Sequence, residues 1–154
     1  MNLSRNFTLS EMTKSETALR YGMANEPSEK EIENLTVLCD MVLQPLRDYY
    51  GLPVKVNSGF RHPLVNAKVG GSATSDHCKG MAADIEIPSI ANATVAEWIK
   101  DNCSFKQLIL EFYTPGVPDS GWVHVSYDPS NLKKEVLTAT KQNGKTVYLQ
   151  GLVA

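Results

Sequence analysis

The stretch SDHCKGMAADIEI, Ser75 to Ile87, decides the fold because it passes from a polar turn into a strand. Apolar residues alternate there with Asp84 and Glu86, and this period of two predicts a strand with one buried face. The preceding segment, residues 61–80, contains Pro and paired Gly and is expected to be mainly loop. The strand should therefore carry its acidic side chains on the face opposite to the core.

Helices are predicted before this stretch. Two capping boxes, Thr8-Glu11 and Ser28-Glu31, each mark a helix start. The first helix is expected to run to Tyr21-Gly22, and the second to end at Gly51 with a kink or break at Pro45.

Strands dominate the remainder of the chain. One further helix is predicted at residues 93–102, and an Asn143-Gly144 turn predicts a hairpin between residues 135–140 and 146–149. Three other segments have strand character: LPVKVNSGF, FKQLILEFY and WVHVSY. This order predicts an α+β fold, with N-terminal helices packed on a small antiparallel sheet in a single domain of residues 1–154.

Composition indicates an ordinary globular protein and excludes several classes of partner. Of 154 residues, 42% are hydrophobic and 21% charged, and the net charge of −2 gives no reason to expect nucleic acid binding. No apolar run is long enough for a membrane helix, and the N-terminus lacks the pattern of a signal peptide. We expect a monomer that is made in the cytoplasm, and three cysteines that stay reduced.

Two of the three histidines are candidate metal ligands. His77 precedes the predicted strand and Asp84 lies on it seven residues later, so both could reach one ion. Alone this pair is a weak signal, because a loop histidine is more often exposed or merely hydrogen-bonded. His124 strengthens it, since the alternation in WVHVS places His124 on the same face as Trp122. Two histidines and an aspartate complete the protein ligands of a catalytic zinc site.

The neighbouring residues Cys78 and His62 need separate treatment. A thiolate binds zinc well, but adjacent residues usually point apart and hydrolytic sites favour histidine and carboxylate ligands. Cys78 is therefore expected to be a packed or bystander residue, and His62 a loop residue without a ligand role.

Glu111 ends the apolar segment QLILE, where a carboxylate is either solvated at a strand end or functional. In the functional interpretation it is the general base that accepts a proton from the attacking water. Lys79 and Asp119 are alternatives, but both lie in polar, flexible stretches and are expected to be solvated.

The chain resembles the M15 zinc peptidases in SGFRHPLVNAKVGGSATSDHCKGMAADIEI, QLILEF and GWVHVSY. These peptidases include D-alanyl-D-alanine carboxypeptidases, phage endolysin endopeptidases and the related fold of the Hedgehog signalling domain. The family motif SxHxxGxAxD is matched at every fixed position, from Ser75 to Asp84. The resemblance extends to about Tyr127, and the N-terminal third is similar to the phage and prophage branch.

The resemblance implies that His77, Asp84 and His124 hold one zinc ion. It implies a catalytic base at Glu111, although Glu111 lies thirteen residues before His124 because YTPGVPDSG lengthens the turn. A longer hairpin loop need not move the strand ends, since the cost of loop closure grows slowly with length.

Other relatives place the base differently. Some phage relatives have an aspartate where this chain has Gly121, which disfavours that variant and leaves Asp119 as the reserve candidate. From its surroundings alone Arg61 would be interpreted as a surface ion pair. The resemblance instead implies that Arg61 stabilises the oxyanion or holds a substrate carboxylate, and that Ser75 contacts substrate.

These observations predict a zinc metallopeptidase that cleaves peptidoglycan stem peptides, either as a D-alanyl-D-alanine carboxypeptidase or as an endolysin-type endopeptidase. Its site of action would be the cell wall. The alternative is a zinc-stabilised wall- or protein-binding module of the same fold that has lost catalysis. The presence of Glu111, Arg61 and all three ligands argues against that alternative.

Overall fold

A computed structural model of the protein describes residues 1–153, which form α-helices and two β-sheets. The α-helices, in chain order, are α1 (Leu9–Thr13), α2 (Glu16–Arg20), α3 (Glu29–Leu38), α4 (Gln44–Tyr50), α5 (Pro63–Lys68) and α6 (Asn92–Asn102). None of the helices in this described part of the chain has the length and apolar character needed to cross a membrane.

The strands form two sheets. They are β1 (Asn2–Ser4), β2 (Phe7–Thr8), β3 (Lys55–Ser58), β4 (Ala82–Glu86), β5 (Gln107–Glu111), β6 (Trp122–Ser126), β7 (Glu135–Gln142) and β8 (Lys145–Gln150). The first two strands pair with each other, and the other six form one sheet in the order β3-β4-β6-β5-β7-β8.

The α+β class is confirmed, and a small antiparallel sheet is present in β1 and β2, but the sheet that carries the candidate ligands is larger than predicted. The main sheet has six strands and is mixed, because β7 pairs with β5 in parallel. After β6 the chain crosses over and adds β7 on the far side of β5. Alternation identifies strands but contains no information on which strands become neighbours.

Both predicted capping boxes are present, and each begins a helix. Glu11 and Glu31 hydrogen-bond back to the N-cap backbone, and the N-cap hydroxyl groups accept from the same two residues. The first helix does not run unbroken to Tyr21, because Ser15 caps a new helix, α2. A π-helical turn (Cys39–Leu43) joins α3 to α4, so that Pro45 falls in the first turn of α4, where its missing N–H costs little.

The segment 61–80 is more regular than predicted. It contains α5, whose first residue is Pro63, and a 3-10 turn (Asp76–Lys79). The helix predicted at 93–102 begins one residue earlier, at Asn92. The C-terminal hairpin is present, with positive φ at both Asn143 and Gly144 as its tight turn requires.

The two faces of the main sheet have different roles. One face presents apolar side chains such as Ile85, Leu108 and Val125, which are fully buried in a cluster shared with α3, α4 and α6. The opposite face carries Asp84 and His124, which are partners in the register of β4 and β6. Polar residues that would be costly in the core therefore line one surface of a sheet whose other surface is held rigidly.

Candidate metal centre

His77 lies in the 3-10 turn that leads into β4. The Ser75 side chain caps this turn by accepting from the His77 backbone N–H at 3.2 Å. The His77 ring is buried, and its Nδ1 lies 2.7 Å from the carbonyl oxygen of Gly59. Because a carbonyl can only accept, Nδ1 carries the proton and the Nε2 lone pair is free to bind a metal.

Asp84 and His124 face each other across β4 and β6. His124 Nδ1 lies 3.0 Å from Asp84 Oδ1, and His77 Nε2 lies 3.4 Å from Asp84 Oδ2. The two imidazole rings are 5.2 Å apart between centroids. The strand pairing and the 3-10 turn thus bring all three predicted ligands together.

The ligand atoms fit a small divalent ion. One atom from each of His77, Asp84 and His124 lies within 4.8 Å of the others. Ligands at zinc distances of about 2.0–2.2 Å in a tetrahedron are roughly 3.4 Å apart, close to the separations to Asp84. Cys78 is not part of the group, and His62 caps α5 by accepting from the Leu64 N–H at Nδ1.

The electrostatics of the group favour a bound cation. Burial acts to raise the pKa of Asp84, but its contacts with the His124 and His77 rings outweigh burial and hold that pKa well below its usual range. Burial acts to lower the pKa of His124, but the hydrogen bond to Asp84 and its charge raise it overall. The carboxylate is therefore ionised and supplies the negative charge that a metal requires.

Glu111 lies at the end of β5, in register with Trp122 of β6. Its Oε2 accepts a hydrogen bond of 2.6 Å from the indole Nε1 of Trp122. Burial and the charge of Asp84 raise the pKa of Glu111. One carboxylate oxygen is therefore fixed while the other stays available, as a general base needs.

The long β5–β6 loop does not move Glu111 away from His124. Ser120 closes the loop on itself, with its hydroxyl group accepting from the Thr114 N–H and donating to the carbonyl of Val117. Asn92 at the start of α6 holds the loop from outside by donating to the carbonyls of Ser120 and Gly121. Both strand ends consequently stay paired despite the added length.

The two other candidates for the base lie elsewhere. Asp119 lines a separate cleft together with Lys55 and Glu86. The Lys79 side chain is more than half exposed and lies 3.9 Å from Asp76. Neither residue lines the cavity over the ligand group.

Arg61 and Ser75 lie beside the ligands. The Arg61 backbone N–H donates to the carbonyl of His77, which ties the two loops together. The Arg61 Nε is buried without a hydrogen-bond partner, and no carboxylate in residues 1–153 forms a salt bridge with its guanidinium. Arg61 therefore has unused donors near the ligand group, and the surface ion-pair interpretation is not supported.

A cavity of about 490 Å³ lies over the His77–Asp84–His124 group, and all the predicted site residues line it. Its lining includes Arg61, Ser75, His77, Asp84, Glu111 and His124. Asp76 and Tyr148 are among the lining residues that were not predicted. Asp76 binds Lys106 at 2.9 Å, and Tyr148 of β8 lies at the margin of the cavity.

These two residues differ in what could have revealed them. Asp76 lies inside the SxHxxGxAxD motif, so the sequence shows that it is next to His77. The sequence does not show that its ion-pair partner is Lys106. Tyr148 is far from the motif in sequence, and only the order of the strands brings it near. Alternation in WVHVS predicted that Trp122 lies on the same face as His124, and on that face Trp122 donates its hydrogen bond to Glu111.

Comparison with known proteins agrees with this geometry. No curated protein matches the chain at a significant level. The family model for Peptidase M15 matches residues 5–126, which is more than half of the chain and includes all three candidate ligands, Glu111, Arg61 and Ser75. The chain therefore belongs to the Peptidase M15 family.

Proposed function

We propose that the protein is a zinc-dependent endopeptidase that cleaves the stem peptides of peptidoglycan. Membership of the M15 family supports a peptidase, and the M15 peptidases depend on zinc. The His77–Asp84–His124 group is the observation that carries the proposal, because its donor types and spacing suit zinc and lie under an open cavity.

His77 through Nε2, Asp84 through one carboxylate oxygen and His124 through one ring nitrogen would hold the ion. Bound zinc lowers the pKa of a water ligand and polarises a carbonyl group, which is the chemistry that amide hydrolysis needs. The hydrogen bond from His77 Nδ1 to Gly59 fixes the orientation and tautomer of that ring.

Glu111 acts as the general base and then as the acid. Trp122 holds Oε2, so Oε1 is the atom that accepts the proton of the attacking water. The same oxygen returns the proton to the leaving amine, since hydrolysis must protonate that nitrogen. A raised pKa of Glu111 brings it nearer to neutrality, where both transfers are efficient.

Arg61 supplies positive charge at the cavity wall. Its guanidinium group lines the cavity and forms no salt bridge within residues 1–153, so it can bind the oxygen that becomes negative, or a carboxylate of the substrate. Ser75 fixes the His77 turn through its hydroxyl group and also lines the cavity, so it can contact substrate at the same edge.

Two features support an endopeptidase over a carboxypeptidase. Within the described chain, residues 113–120 contribute nothing to the cavity lining, so the long loop leaves the cavity open. Arg61 also lines a neighbouring cleft of about 430 Å³, which offers room for a chain that continues beyond the cut bond. Action on the cell wall, after synthesis in the cytoplasm, and membership of the phage branch are part of the same proposal.

Replacement of Glu111 by glutamine tests the assignment. Glu111→Gln keeps an oxygen that can accept from Trp122, but it cannot take a proton. We expect the zinc content to stay at one ion per chain while the rate of cleavage of defined muropeptides falls by about 10²- to 10⁴-fold. Glu33→Gln, at a highly exposed glutamate on α3, is the matched control and should behave like the parent.

Mass analysis of the products separates the possible outcomes. Fragments cut inside the stem peptide support an endopeptidase, whereas release of a terminal D-alanine alone indicates a carboxypeptidase. Full activity of Glu111→Gln would contradict the role of Glu111. A parent protein that binds zinc but cleaves no muropeptide would contradict the enzyme and favour a zinc-stabilised binding module.

A further inference from the structure

The C-terminal hairpin lies outside the family match, which ends at residue 126, yet it reaches the cavity. We propose that Tyr148 of this hairpin, together with Ile109 of β5, forms a binding subsite that contacts an apolar side chain of the peptide substrate beside the cut bond. The proposal rests on the proposed peptidase function, because it names a part of the substrate bound by that site.

The strand register places Tyr148 in line with the candidate base. Trp122 pairs with Glu111, Glu111 with Ala139, and Ala139 with Tyr148, across the four strands β6, β5, β7 and β8. Residues paired directly across a sheet point to the same face. Tyr148 and Glu111 therefore share the surface that carries the ligand group.

The spacing in this row suits an extended peptide. Neighbouring strands are about 4.8 Å apart, so the backbone of Tyr148 lies roughly 10 Å from that of Glu111. A peptide advances about 3.3 Å per residue, so about three residues span this distance. The length of the Tyr148 side chain brings its ring within reach of a residue one or two positions from the cut bond.

The surface of the sheet between Glu111 and Tyr148 is apolar and lies below the side chains on either side of it. Ala139 is 1% exposed and fills the gap in the row with only a methyl group. Ile109, 7% exposed, lies one pair further along β5, and these two pack with Leu137 and Phe112 in a small cluster separate from the main core. The result is an apolar floor beside the polar ligand group.

Tyr148 forms the raised edge of this floor. It is 55% exposed although it is large and aromatic, and it lines the cavity. An aromatic ring at the edge of an apolar floor gains most when an apolar group covers it. The ligand that this chemistry selects is a small aliphatic side chain of a peptide whose backbone runs along the row towards Glu111.

The test compares Tyr148→Ala and Tyr148→Phe with the control Thr146→Ala in the zinc-loaded full chain. Thr146 lies on the same strand and the same face, is exposed, and does not line the cavity. Each variant is assayed on a defined stem peptide and on an analogue with glycine in place of the aliphatic residues flanking the cut bond. Zinc content and melting temperature are measured for each variant.

We expect Tyr148→Ala to raise KM about tenfold with kcat within about twofold of the parent, because the variant lacks the aromatic ring whose exposed half would contact the substrate. Tyr148→Phe and Thr146→Ala should stay within about twofold of the parent. The tenfold penalty should vanish on the glycine analogue, since the partner group is then missing. A folding defect would instead weaken both substrates equally.

The subsite is refuted if Tyr148→Ala keeps the parent KM, or if its penalty is the same on the glycine analogue. Calorimetric binding of the same peptides, measured in the Glu111→Gln background, separates this failure from failure of the proposed function. If the parent protein cleaves no peptide, and Tyr148→Ala still weakens peptide binding tenfold, the subsite is supported and the proposed enzymatic function is refuted. If the Glu111→Gln protein binds the peptide equally well with and without the Tyr148→Ala change, the subsite itself is refuted.

Discussion

Replacement of Gly121 by alanine should disturb the protein far more than the same change at Gly116. Both glycines lie in the loop between β5 and β6, and both have positive φ, 65° at Gly121 and 86° at Gly116. A Cβ at Gly116 would meet nothing within 4 Å. A Cβ at Gly121 would overlap the carbonyl oxygen of Glu111 and lie 2.8 Å from the carbonyl carbon of Phe112.

The magnitude follows from separating backbone strain from steric overlap. A left-handed backbone costs a residue with a Cβ roughly 1 kcal/mol, and this cost applies at both positions. Overlap with fixed backbone atoms adds about 2 kcal/mol at Gly121, because neither contact can be relieved by rotating a side chain. We therefore expect Gly121→Ala to lose about 3 kcal/mol of unfolding free energy and Gly116→Ala about 1 kcal/mol.

Thermal unfolding of the zinc-loaded proteins measures this difference. For a domain of this size each kcal/mol corresponds to about 2–4 °C, so the melting temperature should fall by about 6–12 °C for Gly121→Ala and about 2–4 °C for Gly116→Ala. The rate of peptide cleavage should fall more for Gly121→Ala than for Gly116→Ala, because relief of the overlap displaces the end of β5 that carries Glu111. Equal melting temperatures and activities would refute this account of how the long loop is closed.

Three further changes test the ligands, the base and the core. Asp84→Ala should weaken zinc binding by about a thousandfold because it removes one of three ligands, whereas Cys78→Ser should leave it unchanged; metal titration distinguishes them. Trp122→Phe should lower kcat about tenfold without loss of zinc, because the Glu111 carboxylate loses its donor, and an unchanged kcat would contradict that role. Phe105→Ala should lower the free energy of unfolding by about 3–5 kcal/mol in urea titrations because its ring is fully buried, and a parent-like midpoint would contradict that burial.

Alternation along single strands was enough to predict the face on which two of the three candidate ligands lie, whereas His77 was predicted from its spacing to Asp84 and from the family motif. WVHVS placed His124 and Trp122 on one face, and MAADIEI placed Asp84 opposite to the core, and the pairing of β4 with β6 agrees with both. The physical reason is that a side-chain period of two holds for any strand, whichever strand becomes its neighbour.

Features that depend on neighbours could not be predicted in this way. The parallel pairing of β5 with β7 is a choice among partners, and no local pattern in Glu135–Gln142 specifies it. Helix α5 was missed because only Val65 and Asn66 are buried in it, which is too few for a helical period to appear. The hydrogen bond between Trp122 and Glu111 likewise requires the register of β5 and β6.

The arrangement separates the candidate ligands and the candidate base from Arg61 and Tyr148, which lie towards the edges of the sheet. Asp84, His124 and Glu111 lie on three inner strands, β4, β6 and β5, and the residues that precede them (Ala83, Val123 and Leu110) are buried in the core on the other face. Any shift of these three residues would disturb the packing below them, so their geometry is coupled to the stability of the whole domain. Arg61 follows the edge strand β3 and Tyr148 lies on the edge strand β8, where side chains can change without repacking that core. Peptide preference should therefore change at these two edges while zinc binding, held by the inner strands and by the turn that carries His77, stays the same.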